Sequence, residues 1–326
     1  MIKSSALVTG ACGFVGPYLA DELSRHGFSV KGVDVVAGNL LGMPVFSCDI
    51  RDREGLRNIL RSEEPDYIFH LASMSIIPRS WEDPRLACEI NLMGLINLME
   101  CIRELGLESR VLLVGSACEY GETLREGNPV NEDAPLRPQS PFATSKVAQD
   151  YIASQYYSEH ALNVVRVRPF THSGPGQTDN FIVPRLCREV ALVALGRKST
   201  VESPNRSIRY DLTHVSDMAR AYMLGAMKGM PGQVYNVASG SVLTIGKMLD
   251  VLSELSGLKL TVEEKVLDCL SDPEHDMLAD NSRFVNETGW RPAVKPEAML
   301  AETLQWWTSH LAESHSRGTG RFIAGH

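Results

Sequence analysis

Short apolar runs alternate with longer helical patterns through the first half of the chain. Ala6–Thr9, Val30–Val36, Val45–Cys48, Tyr67–Leu71, Val111–Val114 and Val164–Val167 are β-branched or aliphatic runs of strand length. Between them, Gly16–His26, Arg53–Arg61, Arg85–Leu105 and Phe142–His160 read as helices. Such alternation implies right-handed crossovers and an α/β fold: a doubly wound parallel sheet covered on both faces. After Pro169 the rhythm changes. Gly174-Pro175-Gly176 is a turn, Phe181–Leu195 reads as a helix, and Arg209–His214 and Val234–Val237 read as strands returning to the sheet. Ile245–Ser256 and Pro296–Leu311 read as a smaller capping region. The expected division is a sheet domain over 1–170 with 206–238 returning to it, a second region over 171–205 and 239–313, and a fraying tail over 314–326.

Composition narrows the class. The 326 residues are 44% hydrophobic and 22% charged, enough to bury a sizeable core. Lys+Arg 32 against Asp+Glu 40 leaves −8, which excludes a generally basic nucleic-acid binder but permits a local phosphate patch. Cysteines 12, 48, 88, 101, 118, 187 and 269 form no CxxC pair and read as reduced thiols in a cytoplasmic protein. The histidines show no metal-ligand spacing, so no metal is expected. The apolar run after Met1, Ala6–Val8, is too short for a signal peptide, and nothing approaches the ~18 apolar residues of a membrane span. A soluble cytoplasmic protein with neither nucleic-acid nor membrane partners is expected.

The strongest chemical signal is Val8-Thr9-Gly10-Ala11-Cys12-Gly13-Phe14-Val15-Gly16, glycines that follow a strand and open a helix. Gly10 allows the tight turn, Gly13 lets backbone approach a pyrophosphate, and Gly16 lets helix and strand pack closely. The turn residues Cys12, Phe14 and Val15 then line the phosphates at a helix N-terminus rich in unpaired N–H donors. Asp34 ends the next strand, 18 residues after Gly16. An acid there binds a ribose 2′-hydroxyl and repels a 2′-phosphate, so NAD is expected rather than NADP, in a Rossmann-type domain.

On these motifs the chain resembles the extended short-chain dehydrogenase/reductase (NAD-dependent epimerase/dehydratase) family over nearly its whole length. The resemblance implies that Asp49-Ile50 flanks the adenine, that His70-Leu71-Ala72 lines the cofactor, and that Pro169 lies by the nicotinamide. Asn91 matches a structural asparagine, and Trp290 in Gly289-Trp290-Arg291-Pro292 a C-terminal packing turn. Leu136–Pro141 and Arg168–Gln177 look most like GDP-4-keto-6-deoxymannose reductases, with GDP-mannose 4,6-dehydratases slightly further away. The implied partners are a nucleotide-sugar substrate, GDP-linked if it follows those branches, and a second copy paired through Arg85–Leu105 and Phe142–His160.

The family's chemistry uses a hydroxyl to hold the substrate oxygen, a tyrosine to exchange its proton and a lysine four residues on. Ser116 and Lys146 match, but the tyrosine position is Phe142, whose ring neither donates nor accepts a proton. Three readings stay open: a tyrosine replaced in this chain, another group or a water taking the proton (Tyr120, Cys118 and Glu119 are near in sequence), or cofactor binding without turnover. Cys118 stands where the dehydratases place their glutamate base, and Ser116-Ala117-Cys118 resembles epimerases that use a cysteine as acid/base at sugar carbon 5. If this segment is a strand, Glu119 faces the other way. Substrate positions also drift from the family pattern: Thr171 stands for an asparagine, Asn180 for a lysine, and Tyr210 and Leu270 for arginines, leaving Arg185, Arg188 and Arg209 as candidate cations. The expected function is an NAD-dependent nucleotide-sugar epimerase/dehydratase acting at carbon 4. A reductase is the alternative, and a non-catalytic NAD-binding protein is the alternative of another class.

Overall fold

A computed structural model describes residues 4–40, 42–266 and 275–316. Its strands are β1 Ser5–Thr9, β2 Ser29–Asp34, β3 Gly38–Leu40, β4 Met43–Ser47, β5 Tyr67–His70, β6 Arg110–Val114, β7 Val164–Pro169, β8 His172–Ser173, β9 Val201–Ser203, β10 Arg209–Asp211, β11 Thr213–His214, β12 Val234–Val237, β13 Val242–Thr244 and β14 Val262–Glu264. The helices are α1 Gly16–Arg25, α2 Arg53–Glu63, α3 Ile77–Glu82, α4 Pro84–Cys88, α5 Gly94–Leu105, α6 Pro141–His160, α7 Ile182–Ala194, α8 Val215–Lys228, α9 Ile245–Ser256, α10 Ser282–Thr288 and α11 Pro296–Ser316.

Eight strands form one sheet in the order β12-β7-β6-β5-β1-β2-β4-β3, parallel throughout except for the edge strand β3. One face is covered by α1 and α8, through Leu19, Leu23, Met218 and Tyr222, the other by α2 and α5, through Leu56, Leu60, Leu95 and Leu98. Coverage on both sides is why the inner strands read as unbroken apolar runs. A third apolar cluster, built from α7, α9 and α11 around Val190, Leu252 and Trp307, forms the capping region.

Two expectations change. Of Arg209–His214, neither half enters the main sheet: β10 pairs antiparallel with β13, and β11 pairs with β8. Only Val234–Val237 joins, beside β7. The segment read as one helix over Arg85–Leu105 is α4 and α5 joined by a π-helical turn at Glu89–Met93. That wider turn holds buried Asn91, whose side chain accepts from Met74 N (2.8 Å) and donates to Ser145 Oγ (2.8 Å). Leu270, Cys269 and the tail beyond 316 lie outside the described residues, and α11 itself runs to Ser316.

The sheet order reverses direction between β2–β1 and β1–β5, which opens a crevice at the C-terminal ends of β1 and β5. Close approach there depends on glycine. At Gly10, with φ +68°, a Cβ would stand 2.7 Å from Ala72 N at the end of β5. At Gly16 it would stand 2.0 Å from the Ala11 carbonyl oxygen. Both obstacles are backbone, so no rotamer relieves them. Gly16→Ala is therefore expected to cost about 3 kcal/mol or more, and to abolish NAD binding, as read from urea unfolding and from calorimetric titration.

Candidate cofactor and catalytic site

The glycine loop is held from below. Gly10 N donates to Val33 O at 2.8 Å, and Cys12 N donates to the Asp34 carboxylate at 2.8 Å. Asp34 is thus fixed at the tip of β2 beside the loop. Burial, and then Asp34, push the Cys12 thiol up, so Cys12 contributes its backbone to the loop and not a thiolate. Gly13 is the open member of the trio. A Cβ there would meet only the turn's own Gly10 carbonyl, at 3.2 Å. That cradle, facing the first turn of α1, fits a dinucleotide pyrophosphate. The residues after Asp34 are Val35, Val36, Ala37 and Gly38, all exposed and none cationic, so nothing there favours a 2′-phosphate.

The neighbouring strand ends complete the cradle. Leu71 N donates to Thr9 O (3.1 Å), and Ala72 N to Thr9 Oγ1 (3.3 Å). His70 is buried with Nδ1 2.9 Å from Thr9 Oγ1; burial, then the charge of Lys146, lower it to about 3, so it is neutral. Asp49 is chelated by Arg51 (2.6 Å), which holds its carboxyl below the usual range. Ile50 is buried, its methyl filling the space left by Gly94. Pro169 is buried at the end of β7, level with Val237.

Behind this cradle lie the chemical groups. Ser116 caps a 3₁₀ turn at Ala117–Glu119 that follows β6 directly. Its Oγ accepts from Cys118 N at 3.1 Å, which leaves the hydroxyl hydrogen available to donate to a bound oxygen. Lys146 lies one turn into α6, only 3% exposed, and donates from Nζ to Val114 O at 2.9 Å. Burial lowers it to about 8, with Glu119 pulling the other way. Phe142, on the same face of α6, is 6% exposed, and its N donates to Ser80 Oγ at 3.2 Å.

The three groups that follow Ser116 in sequence part ways in space. Tyr120 OH donates to Asn236 Oδ1 at 2.6 Å and accepts from Arg168 Nη1 at 3.1 Å, and burial pushes it up to about 12. Glu119 is fully buried, accepting from Ser116 N (2.8 Å) and from Arg168 Nε (2.8 Å). Burial, then Asp150, push its carboxyl up against the pull of Arg168. Cys118 alone of Ala117–Tyr120 remains partly exposed. Tyr120 and Glu119 are thus both engaged with Arg168. Glu119 is buried while Cys118 is half-buried, and because the segment is a 3₁₀ turn the strand alternation considered for it does not apply.

The substrate-side candidates are scattered. Thr171 is half-buried and takes Thr213 N on its carbonyl (3.0 Å); Asn180 is half-buried beside Thr178. Arg185 and Arg188 meet Asp179 at 3.7 and 3.4 Å, and Arg185 also meets Glu189 and Glu202, both at 3.7 Å. Arg209 is committed to Asp276 (2.6 and 2.9 Å) and to the Gly127 carbonyl (2.9 Å). Tyr210 is buried in the apolar cluster of the capping region. Among the described residues no group of His, Cys, Asp and Glu could hold a metal ion, and no helix is long and apolar enough to cross a membrane.

Two features escaped the sequence reading. His172 stacks on Phe14 of the glycine loop (centroids 6.3 Å, 12° between planes), and Tyr18 OH donates to Pro175 O at 2.8 Å, so the 172–175 turn is pinned to the start of α1. The other is the ion cluster around Arg168, which also binds Asp150 at 2.7 Å, with Arg166 on the same carboxylate at 3.1 Å. Its signal was there: two arginines inside the apolar run Val164–Pro169 demand buried partners.

Comparison with known proteins agrees with this geometry. The family model described as GDP-mannose 4,6 dehydratase matches residues 7–303. The GDP-6-deoxy-D-mannose reductase of Pseudomonas aeruginosa is 28% identical, covering 94% of this chain and 98% of its own. The structure of RMD from Pseudomonas aeruginosa complexed with NADPH superposes with a TM-score of 0.83 at 26% identity, covering 94% of this chain and 100% of that one. The UDP-glucose 4-epimerase of Thermus thermophilus, in complex with NAD, gives a TM-score of 0.82 at 29% identity, covering 93% of this chain and 98% of that one.

Proposed function

Because this chain belongs to the GDP-mannose 4,6-dehydratase family, we propose that it oxidises a nucleotide-linked sugar at carbon 4 with NAD and performs acid/base chemistry on the resulting ketone. Gly10, Gly13, Gly16 and Asp34 hold the dinucleotide, with Leu71, Ala72 and Pro169 along its length. The bound nicotinamide supplies the hydride acceptor and donor. Ser116 donates its free hydroxyl hydrogen to the carbon-4 oxygen. Lys146 holds the nicotinamide ribose, and its neutral form, populated near its lowered pKa of about 8, takes up the proton that Phe142 cannot.

The carrying observation is the turn after β6: Glu119 and Tyr120 are turned into Arg168, while Cys118 stays at the surface of the turn. Oxidation at carbon 4 makes the proton on carbon 5 acidic, and the Cys118 thiolate is then the base that removes it. Epimerisation follows if the proton returns to the other face. Thr171 and Asn180 are the proposed substrate contacts; Arg185, Arg209 and Tyr210 are left out because each is engaged elsewhere. A guanosine diphosphate sugar is the proposed substrate class, from the relatives above.

The second reading is reduction of a nucleotide-linked keto sugar, favoured by the likeness to the Pseudomonas aeruginosa reductase over 98% of that protein. Asp34 speaks against the NADPH that such a reaction would draw on. We also propose a cytoplasmic homodimer. Trp81 on α3, Met93 in the π-turn and Tyr151 on α6 are 63%, 48% and 58% exposed, on elements that pack together and would meet their copies across a twofold axis.

The deciding assay incubates purified protein with NAD and a panel of GDP-, UDP- and dTDP-sugars in deuterated water. Deuterium entering carbon 5 of one sugar supports the proposal. Reduction of a keto sugar without such exchange favours the reductase, and silence across the panel despite tight NAD binding favours a non-catalytic role.

A further inference from the structure

The buried ions behind the site form a closed circuit. Ser116 N donates to Glu119 Oε1 (2.8 Å), and Arg168 Nε donates to Glu119 Oε2 (2.8 Å). Arg168 Nη2 reaches Asp150 Oδ2 (2.7 Å), and Asp150 sits one helical turn beyond Lys146 on α6. Lys146 Nζ returns to Val114 O (2.9 Å), two residues before Ser116. The circuit starts and ends on the same strand tip, and it passes through both groups assigned to the substrate oxygen and its proton. We propose that Glu119 is a positioning residue that locks the Ser116–Cys118 turn, with Arg168 as the strut joining that turn to the helix of Lys146.

Gly115 supports this independently. A Cβ there would stand 2.3 Å from Glu119 Oε1, so the carboxylate occupies the space that any larger residue would need. Arg168 is in turn held by the Tyr120 hydroxyl and the Glu132 carbonyl, both at 3.1 Å. A buried ion pair that served the fold alone could give way to apolar side chains at little cost. This one spends an oxygen on the backbone of the site itself.

The inference rests on the function proposed above, and its test separates the two. Glu119→Gln keeps the shape but, since both partners donate, sets its amide NH2 against Ser116 N or Arg168 Nε; Glu119→Asp keeps the charge and is too short to reach both partners. In each, kcat for hydride transfer is expected to fall tenfold or more, with KM and the NAD dissociation constant within twofold of the parent. Site-resolved mass spectrometry of iodoacetamide labelling is expected to show the Cys118 rate, relative to exposed Cys88, shifted threefold or more. Gly115→Ala evicts the same carboxylate, so its effect should not multiply with that of Glu119→Gln. An unchanged labelling ratio in folded Glu119→Gln or Glu119→Asp protein overturns the inference, as do multiplying effects. Labelling needs no substrate. A shifted ratio without turnover on any sugar sustains the clamp while the proposed reaction fails.

Discussion

Phe142→Tyr is expected to raise hydride transfer by about 10²–10⁴-fold, the contribution of a positioned acid/base group. The position is prepared for it. Ser140 caps α6 by accepting from Ala143 N (3.1 Å), Pro141 opens the helix, and Ser80 Oγ accepts from residue 142's own N–H, so the backbone is fixed before the ring is considered. Lys146 lies on the same face one turn further, where its charge would lower a phenol's pKa. Rapid-mixing measurement of NADH formation checks the rate, and calorimetry should show NAD affinity unchanged. No acceleration would mean that proton transfer does not limit the reaction, contrary to the role given to Phe142.

Lys146→Met should separate activity from stability. Turnover is expected to fall by about 10²–10⁴-fold, because the group that replaces the missing hydroxyl is gone. Stability should move the other way. Burial lowers Lys146 from 10.5 to about 8. Below pH 8 the lysine is charged in both folded and unfolded chains, and the folded state bears the full desolvation cost. Between pH 8 and 10.5 the folded chain has released its proton while the unfolded chain keeps it, so stability rises with pH across that window. Methionine removes the cost at neutral pH, a gain on the order of 3 kcal/mol that shrinks above pH 8. Urea unfolding at pH 7 and pH 9.5 or thereabouts reads both the gain and its decline. A variant less stable at neutral pH would show that Lys146 is held by more than its Val114 contact.

The main sheet was legible because its inner strands are buried on both faces, and the runs at Ala6–Thr9, Tyr67–Leu71 and Val111–Val114 say so directly. Arg209–His214 misled because β10 and β11, only three and two residues long, are too short to span the sheet; each finds a local partner. Helix α6 hides its inner face, since its buried residues are Phe142, Ala143, Ser145, Lys146, Gln149, Asp150 and Ala153, four of the seven polar. Hydrophobic periodicity cannot report a polar inner face. The cofactor loop was legible from glycine spacing and Asp34. The directions of Glu119 and Tyr120 were not, because they follow from a 3₁₀ turn whose sense depends on Arg168, 49 positions away from Glu119.

The central claim is that NAD rests on the amides of Gly10–Gly16 with its adenosine ribose held by Asp34. Calorimetric titration of cofactor-stripped protein with NAD and with NADP tests it most directly. NAD should bind at least about tenfold tighter, a difference of about 1.4 kcal/mol, and Asp34→Ala should erase that preference. Heat from neither dinucleotide, or tighter binding of NADP by the unaltered chain, would contradict the account.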